Sequence, residues 1–118
     1  MRNPNADEND LQMSDFWCDY CRRPWTEDLP IVEGHQGSLV CGKCLTLAYR
    51  DVVLDELPTP AYEGPDPHGP KCTMCLEHRE DLMWRSPAYD DAWICKRCIR
   101  QASTALAKDK DIAWEKPV

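Results

Sequence analysis

The chain has 118 residues, of which 14 are lysine or arginine and 21 are aspartate or glutamate, giving a formal net charge of −7 at neutral pH. So acidic a chain is poorly suited to hold a polyanion by charge alone, which disfavours a general nucleic-acid or anionic-membrane binder. Eight cysteines and ten prolines point instead to a small scaffold held by more than its apolar core.

In chain order, residues 1–15 are polar and acidic, and their composition predicts a disordered leader. They lack the apolar run of a secretory signal, so a reducing, cytoplasmic setting is expected. A first module is expected over 16–58. Cys18 and Cys21 open it, Leu29-Pro30-Ile31-Val32 and Ser38-Leu39-Val40 have strand composition, and Gly34-His35-Gln36-Gly37 supplies turn chemistry between them. From Cys41 and Cys44 onward, Leu45, Ala48, Tyr49, Val52 and Glu56 fall at helical spacing until Pro58. Residues 59–70 are rich in proline and glycine and predict an extended linker. The second module, 71–108, repeats the plan: Cys72 and Cys75, strands at Leu82–Arg85 and Ala92–Ile94, then Cys95 and Cys98 opening a helix with Ile99, Ala102, Ser103 and Leu106 on one face. A tail, 109–118, carries the apolar segment Ile112-Ala113-Trp114. No apolar run is long enough to span a bilayer.

Every cysteine recurs 54 residues later, so the unit Cys-x2-Cys-x19-Cys-x2-Cys is written twice. The register extends to apolar residues: Leu29 with Met83, Leu39 with Trp93, Val40 with Ile94, Leu45 with Ile99, Ala48 with Ala102 and Val52 with Leu106. Two cysteines separated by two residues can aim one knuckle at an ion, and two knuckles complete a tetrahedron of thiolates. The ligand sets are Cys18, Cys21, Cys41, Cys44 and Cys72, Cys75, Cys95, Cys98, with one Zn²⁺ expected in each and two per chain. Iron held as in rubredoxin is the rival, but its knuckles usually carry glycine after the second cysteine, where this chain has Arg22, Leu45, Leu76 and Ile99. Disulfides and redox dithiols are further alternatives; the first needs an oxidising compartment and the second a βαβ context. The fold class expected is small α+β, zinc-stabilised, with two tandem treble-clef-like modules of knuckle, β-hairpin and helix.

The runs Val40-Cys41-Gly42-Lys43-Cys44-Leu45 and Ile94-Cys95-Lys96-Arg97-Cys98-Ile99 resemble the four-cysteine zinc finger at the front of the ClpX chaperone over about 40 residues in each half. That resemblance implies a finger that dimerises and receives substrates or adaptor peptides without catalysing a reaction. The sequence departs from it in three ways: no ATPase motif follows, the finger occurs twice, and Gly42-Lys43 and Lys96-Arg97 replace usually acidic positions. The expected function is therefore a non-enzymatic protein-interaction or adaptor module, as a monomeric pseudo-dimer or a homodimer. GATA-type fingers have nearly this spacing, which makes a nucleic-acid-binding regulator the alternative. Lys96, Arg97 and Arg100 would be its contacts, although such fingers need a more basic helix and tail. Trp17, Trp25, Trp84 and Trp93 lie near knuckles or hairpins, and the favoured reading packs them over the thiolates and helices as core; the alternative places Trp25 or Trp84 at solvent-side hairpin positions as candidate aromatic interaction residues. Four cysteines close a zinc site, so an enzyme is not expected, and His35, His68 and His78 have no motif that pairs them with a nucleophile.

Overall fold

A computed structural model describes all of residues 1–118. The first half contributes strands β1 (Ile31–Glu33) and β2 (Leu39–Cys41) and helix α1 (Gly42–Ala48). The second contributes β3 (Met83–Arg85), β4 (Trp93–Cys95) and α2 (Lys96–Lys108). Each pair of strands is antiparallel, with Val32 opposite Val40 in one hairpin and Trp84 opposite Ile94 in the other. Hairpins of three-residue strands are not stable alone. Here each is fixed at one end, because β2 and β4 pass straight into their helices through Cys41 and Cys95, both in extended backbone.

The knuckles are built alike. Arg22 N–H donates to Cys18 O and Leu76 N–H to Cys72 O, both at 2.8 Å. The residue after each second cysteine is left-handed, with φ of 59° at Arg22 and 62° at Leu76. A side chain there costs roughly 1–2 kcal/mol, and a β-branched one is worse tolerated. Leu76→Val is therefore expected to lower stability by about 1–2 kcal/mol, while Leu76→Gly stays within about 1 kcal/mol of the parent. Chemical denaturation of both variants checks this.

The two halves share cysteine spacing but distribute the residues between the pairs differently. The hairpin loop is Gly34–Ser38 in the first half and Ser86–Ala92 in the second, so the expected pairing of Leu29 with Met83 is corrected. Both Ile31 and Met83 face a cysteine across the hairpin, opposite Cys41 and Cys95, which makes Ile31 the counterpart of Met83. An extra turn before β1, closed by the Thr26–Leu29 bridge, takes up the difference and still buries Leu29. The register from Leu39 and Trp93 onward holds as expected.

The first helix, expected to run to Pro58, is α-helical only to Ala48 and then widens into a π-helical stretch, Tyr49–Leu54. It is stopped by Glu56 at φ 49° and by Leu57 N–H donating back to Asp51 O. Helix α2 buries Ile99, Ala102, Ser103 and Leu106 on one face as expected. The wide turn of the first helix is where the second hairpin lands: Trp84 Nε1 donates to the Asp51 carboxylate at 3.1 Å.

The halves are packed into one core of 21 buried residues drawn from both. Their contact is reciprocal. From the first knuckle, fully buried Tyr20 reaches into the second hairpin: its hydroxyl donates to Trp93 O at 2.8 Å, its ring lies 5.9 Å from that of Trp84, and its carbonyl accepts from Ser86 Oγ. From the second knuckle, Met74, one repeat later, reaches into the first hairpin, its carbonyl accepting from His35 N–H at 2.8 Å and Ser38 Oγ at 3.4 Å. Likewise β1 packs on α2 while β3 packs on the π-helical stretch of the first half. Matching patches facing each other in this way are the pattern of a two-fold dimer interface, realised within one chain.

Residues 1–15, whose composition suggests disorder, lie back along the first half, with Asn3 N–H donating to Asp15 O at 2.7 Å and Arg2 bridged to Phe16. The proline-rich segment has no regular structure and runs along the second half. Thr59 Oγ1 accepts from Met83 N–H at 2.9 Å, and Tyr62 meets Trp93 edge-on. No helix is long and apolar enough to cross a membrane.

Candidate metal centres

The fold gathers all eight cysteines into two clusters, Cys18, Cys21, Cys41, Cys44 and Cys72, Cys75, Cys95, Cys98; within each, the Sγ atoms all lie within 4.8 Å of one another. None of the eight is joined to another in a disulfide. Local structure dictates this placement. The knuckle turn presents Cys18 and Cys21 (or Cys72 and Cys75) on one side, while the strand end and first helical turn present Cys41 and Cys44 (or Cys95 and Cys98) from the other.

Several observations test whether a metal fits. Cys21 Sγ and Cys41 Sγ are 3.6 Å apart, against the roughly 3.8 Å edge of a sulfur tetrahedron built on Zn–S bonds of about 2.3 Å. Backbone N–H groups already point at the sulfurs: Cys41 and Tyr20 N–H toward Cys18 Sγ at 3.3 Å, Cys44 N–H toward Cys41 Sγ at 3.5 Å, and Cys95 N–H toward Cys72 Sγ at 3.4 Å. Donors so arranged favour thiolates. Three cysteines of each cluster are buried and one, Cys21 or Cys75, is half-buried. Four soft donors closing a tetrahedron suit a structural zinc ion, with no position left open for substrate.

Without a cation, four thiols this close cannot all ionise. Hydrogen bonds from Cys18 and then Cys44 lower Cys41 to about 2, whereas Cys18 is pushed up to about 12 by its bond to Cys41, and Cys44 is raised by its bonds to Cys18 and Cys41. The second cluster divides similarly, Cys72 lowered to about 2 by Cys95, and Cys95 pushed up to about 12 by Cys72. Ligation must therefore displace protons, and acid must compete with metal. Each ion bound near neutral pH is expected to release two or more protons from its cluster, because the thiols hold one another mostly protonated. Affinity is accordingly expected to fall as pH falls, and an indicator-dye titration in weak buffer measures both effects.

Arginines face the half-buried cysteines. Arg23 is held more firmly cationic by the charge of Cys21, and Arg79 by hydrogen bonding to Cys75 and then by Glu77, which it also meets at 2.8 Å. Arg79 Nε, beside the second cluster, is buried without a hydrogen-bond partner. A zinc tetrathiolate carries a net negative charge, and these guanidiniums would offset it. The second cluster is the more open: a cleft of about 410 Å³, lined in part by His35, Arg97, Cys75 and Cys98, leads to it.

The other expected site residues separate. Arg97 and Arg100 are exposed on α2 and Lys96 is half-buried, with Arg97 N–H bonded to the Asp81 carboxylate at 3.1 Å. Trp25 is half-buried beside the first knuckle, its N–H donating to Phe16 O. Trp84 is corrected: it is only 6% exposed and lies between the halves, because both faces of the second hairpin are covered once the first half packs on it. His78 contacts no cluster; its Nε2 lies 2.7 Å from Asp66 Oδ2, tying the proline-rich segment to the second knuckle. Sequence reasoning missed Tyr20 and Met74, although apolar residues at one repeat position inside both knuckles were a usable signal. Comparison with known protein families, curated proteins and solved structures found no match.

Proposed function

We propose that the chain is a non-enzymatic zinc protein in which two structural four-cysteine sites hold a pair of treble-clef, ClpX-like fingers as an intramolecular pseudo-dimer that serves as an adaptor for other proteins inside the cell. The observation that carries this reading is the pair of closed cysteine clusters on either side of one shared core. Closed tetrahedra hold shape rather than perform chemistry. The reciprocal insertion of Tyr20 and Met74 supports a finger already paired with its partner within the chain, hence a monomer. The acidic net charge favours a protein partner over duplex DNA.

The test has two parts. At physiological salt the zinc-loaded chain is expected to leave duplex DNA unshifted in a mobility assay, and to retain a stoichiometric protein partner that is lost on chelation. A salt-sensitive DNA shift abolished by Arg97→Glu and Arg100→Glu would overturn the adaptor reading in favour of a nucleic-acid-binding regulator.

A further inference from the structure

Beyond α2 the chain crosses to the first finger, where one side chain makes most of its contact. Trp114 Nε1 donates to Gly42 O at 3.1 Å and lies 3.0 Å from Thr46 Oγ1. The indole lies flat enough on the start of α1 that a Cβ added at Gly42 would stand 3.0 Å from Trp114 Cδ1 and 3.1 Å from Pro30. A glycine at this first helical position is thus what admits the ring. One repeat later the same positions are Lys96 and Arg100, so only the first finger has the slot. The slot continues into a groove of about 430 Å³ lined in part by Glu27, Asp28, Leu29, Pro30 and Lys43.

The fit of the tail to this groove is incomplete. Only Ile112 and Trp114 of the segment 111–116 are half-buried, and the others are exposed. The rim carries Glu27 and Asp28 with Lys43 the single cation, yet the tail brings Asp111 against it. Like charges at a rim weaken an occupant. We propose that the Gly42–Thr46 slot is a peptide-docking site for a tryptophan-anchored, basic-flanked segment of a partner protein, and that Trp114 is its displaceable internal occupant. This deepens the adaptor reading and rests on it. An indole in a pocket supplies the anchor, as tryptophans do at interaction hot spots, and uniformly lysine or arginine flanks supply a fuller charge match than a tail in which Asp109, Asp111 and Glu115 offset Lys110 and Lys116.

Fluorescence anisotropy on the zinc-loaded full chain tests it, with two labelled peptides: residues 109–116, and the same segment with Asp109, Asp111 and Glu115 replaced by lysine. The lysine peptide is expected to bind more tightly than the native one. Both are expected to bind Trp114→Ala about tenfold more tightly than the parent, the factor for a groove open one tenth of the time. Within the Trp114→Ala background, Gly42→Ala is expected to abolish binding and Thr46→Val, which keeps shape but removes a hydrogen-bonding oxygen, to weaken it about threefold to tenfold. Metal content and circular dichroism confirm that each variant is folded. Equal binding to the parent and Trp114→Ala, or binding insensitive to Thr46→Val, would overturn the proposal. So would a preference for the native peptide over the lysine one. Because partner capture by the parent is measured separately, failure of the slot and failure of the adaptor reading give different results.

Discussion

Replacing Cys95 by serine is expected to unfold both halves of the chain, not only the second. A structural zinc site of this kind contributes on the order of 10–16 kcal/mol at neutral pH, against a net stability of about 5–15 kcal/mol for ordinary domains. Serine is a poor zinc ligand, so most of what a zinc ion in the second cluster would contribute is lost. Cys95 joins β4 to α2, and these elements form the surface on which β1 and Tyr20 pack. From sequence alone the effect would be confined to residues 71–108, since each module has its own cysteines and its own periodic helix. The shared core of 21 residues extends it to the first half. Amide dispersion in an NMR spectrum reads the outcome by residue. Loss of dispersion for Val32 and Val40 together with Trp84 and Ile94 is expected, and a first hairpin that stays folded on its own zinc would contradict the shared core. A strong chelator should have the same effect, arriving first through the cleft beside Cys75 and Cys98.

Tyr20→Ala is expected to have the next largest effect, about 3–5 kcal/mol, the usual range for truncating a buried aromatic residue. Tyr20 is fully buried. Burial, with Cys72 nearby as the second cause, holds its hydroxyl well above the ordinary tyrosine range, so it remains a neutral donor. Truncation removes the bond to Trp93 O and the packing on Trp84 and leaves a cavity between the halves. Tyr20→Phe, which keeps the ring, is expected to cost about 1 kcal/mol, partly because Trp93 O still accepts from Thr73 N–H at 2.8 Å. Zinc binding should survive in both variants, since no cysteine is changed and the Tyr20 N–H that points at Cys18 Sγ belongs to the main chain. A Tyr20→Ala loss below about 1 kcal/mol by denaturant titration would mean that the halves do not depend on each other.

Much of the site is legible in the order of residues alone. Cysteine spacing defines both ligand sets, because two knuckles at constant pitch leave few other ways to group eight thiols. The order of knuckle, hairpin and helix is legible too, with strands placed within two residues, since turn residues and the helical spacing after Cys41 and Cys95 are local signals. What escapes depends on the other half of the molecule. Packing of Trp84 as core is legible, but its partner is not: within its own hairpin it alternates for a solvent face, and the other half covers that face. The pairing of Leu29 with Met83 fails because constant cysteine pitch conceals two residues moved from the approach to β1 into the opposite hairpin loop. The docking of Trp114 on Gly42 has only a hint in the chain, an apolar trio in a polar tail, with nothing local to name the receiving finger.

Native mass spectrometry of chain produced without added metal tests the central claim most directly. Two zinc ions bound to a monomer are expected, leaving together over a narrow range of chelator as the charge-state distribution shifts from folded to unfolded. Iron in place of zinc, a mass lower by two hydrogens per cysteine pair, or a stable species that keeps a folded charge state with no metal would contradict it.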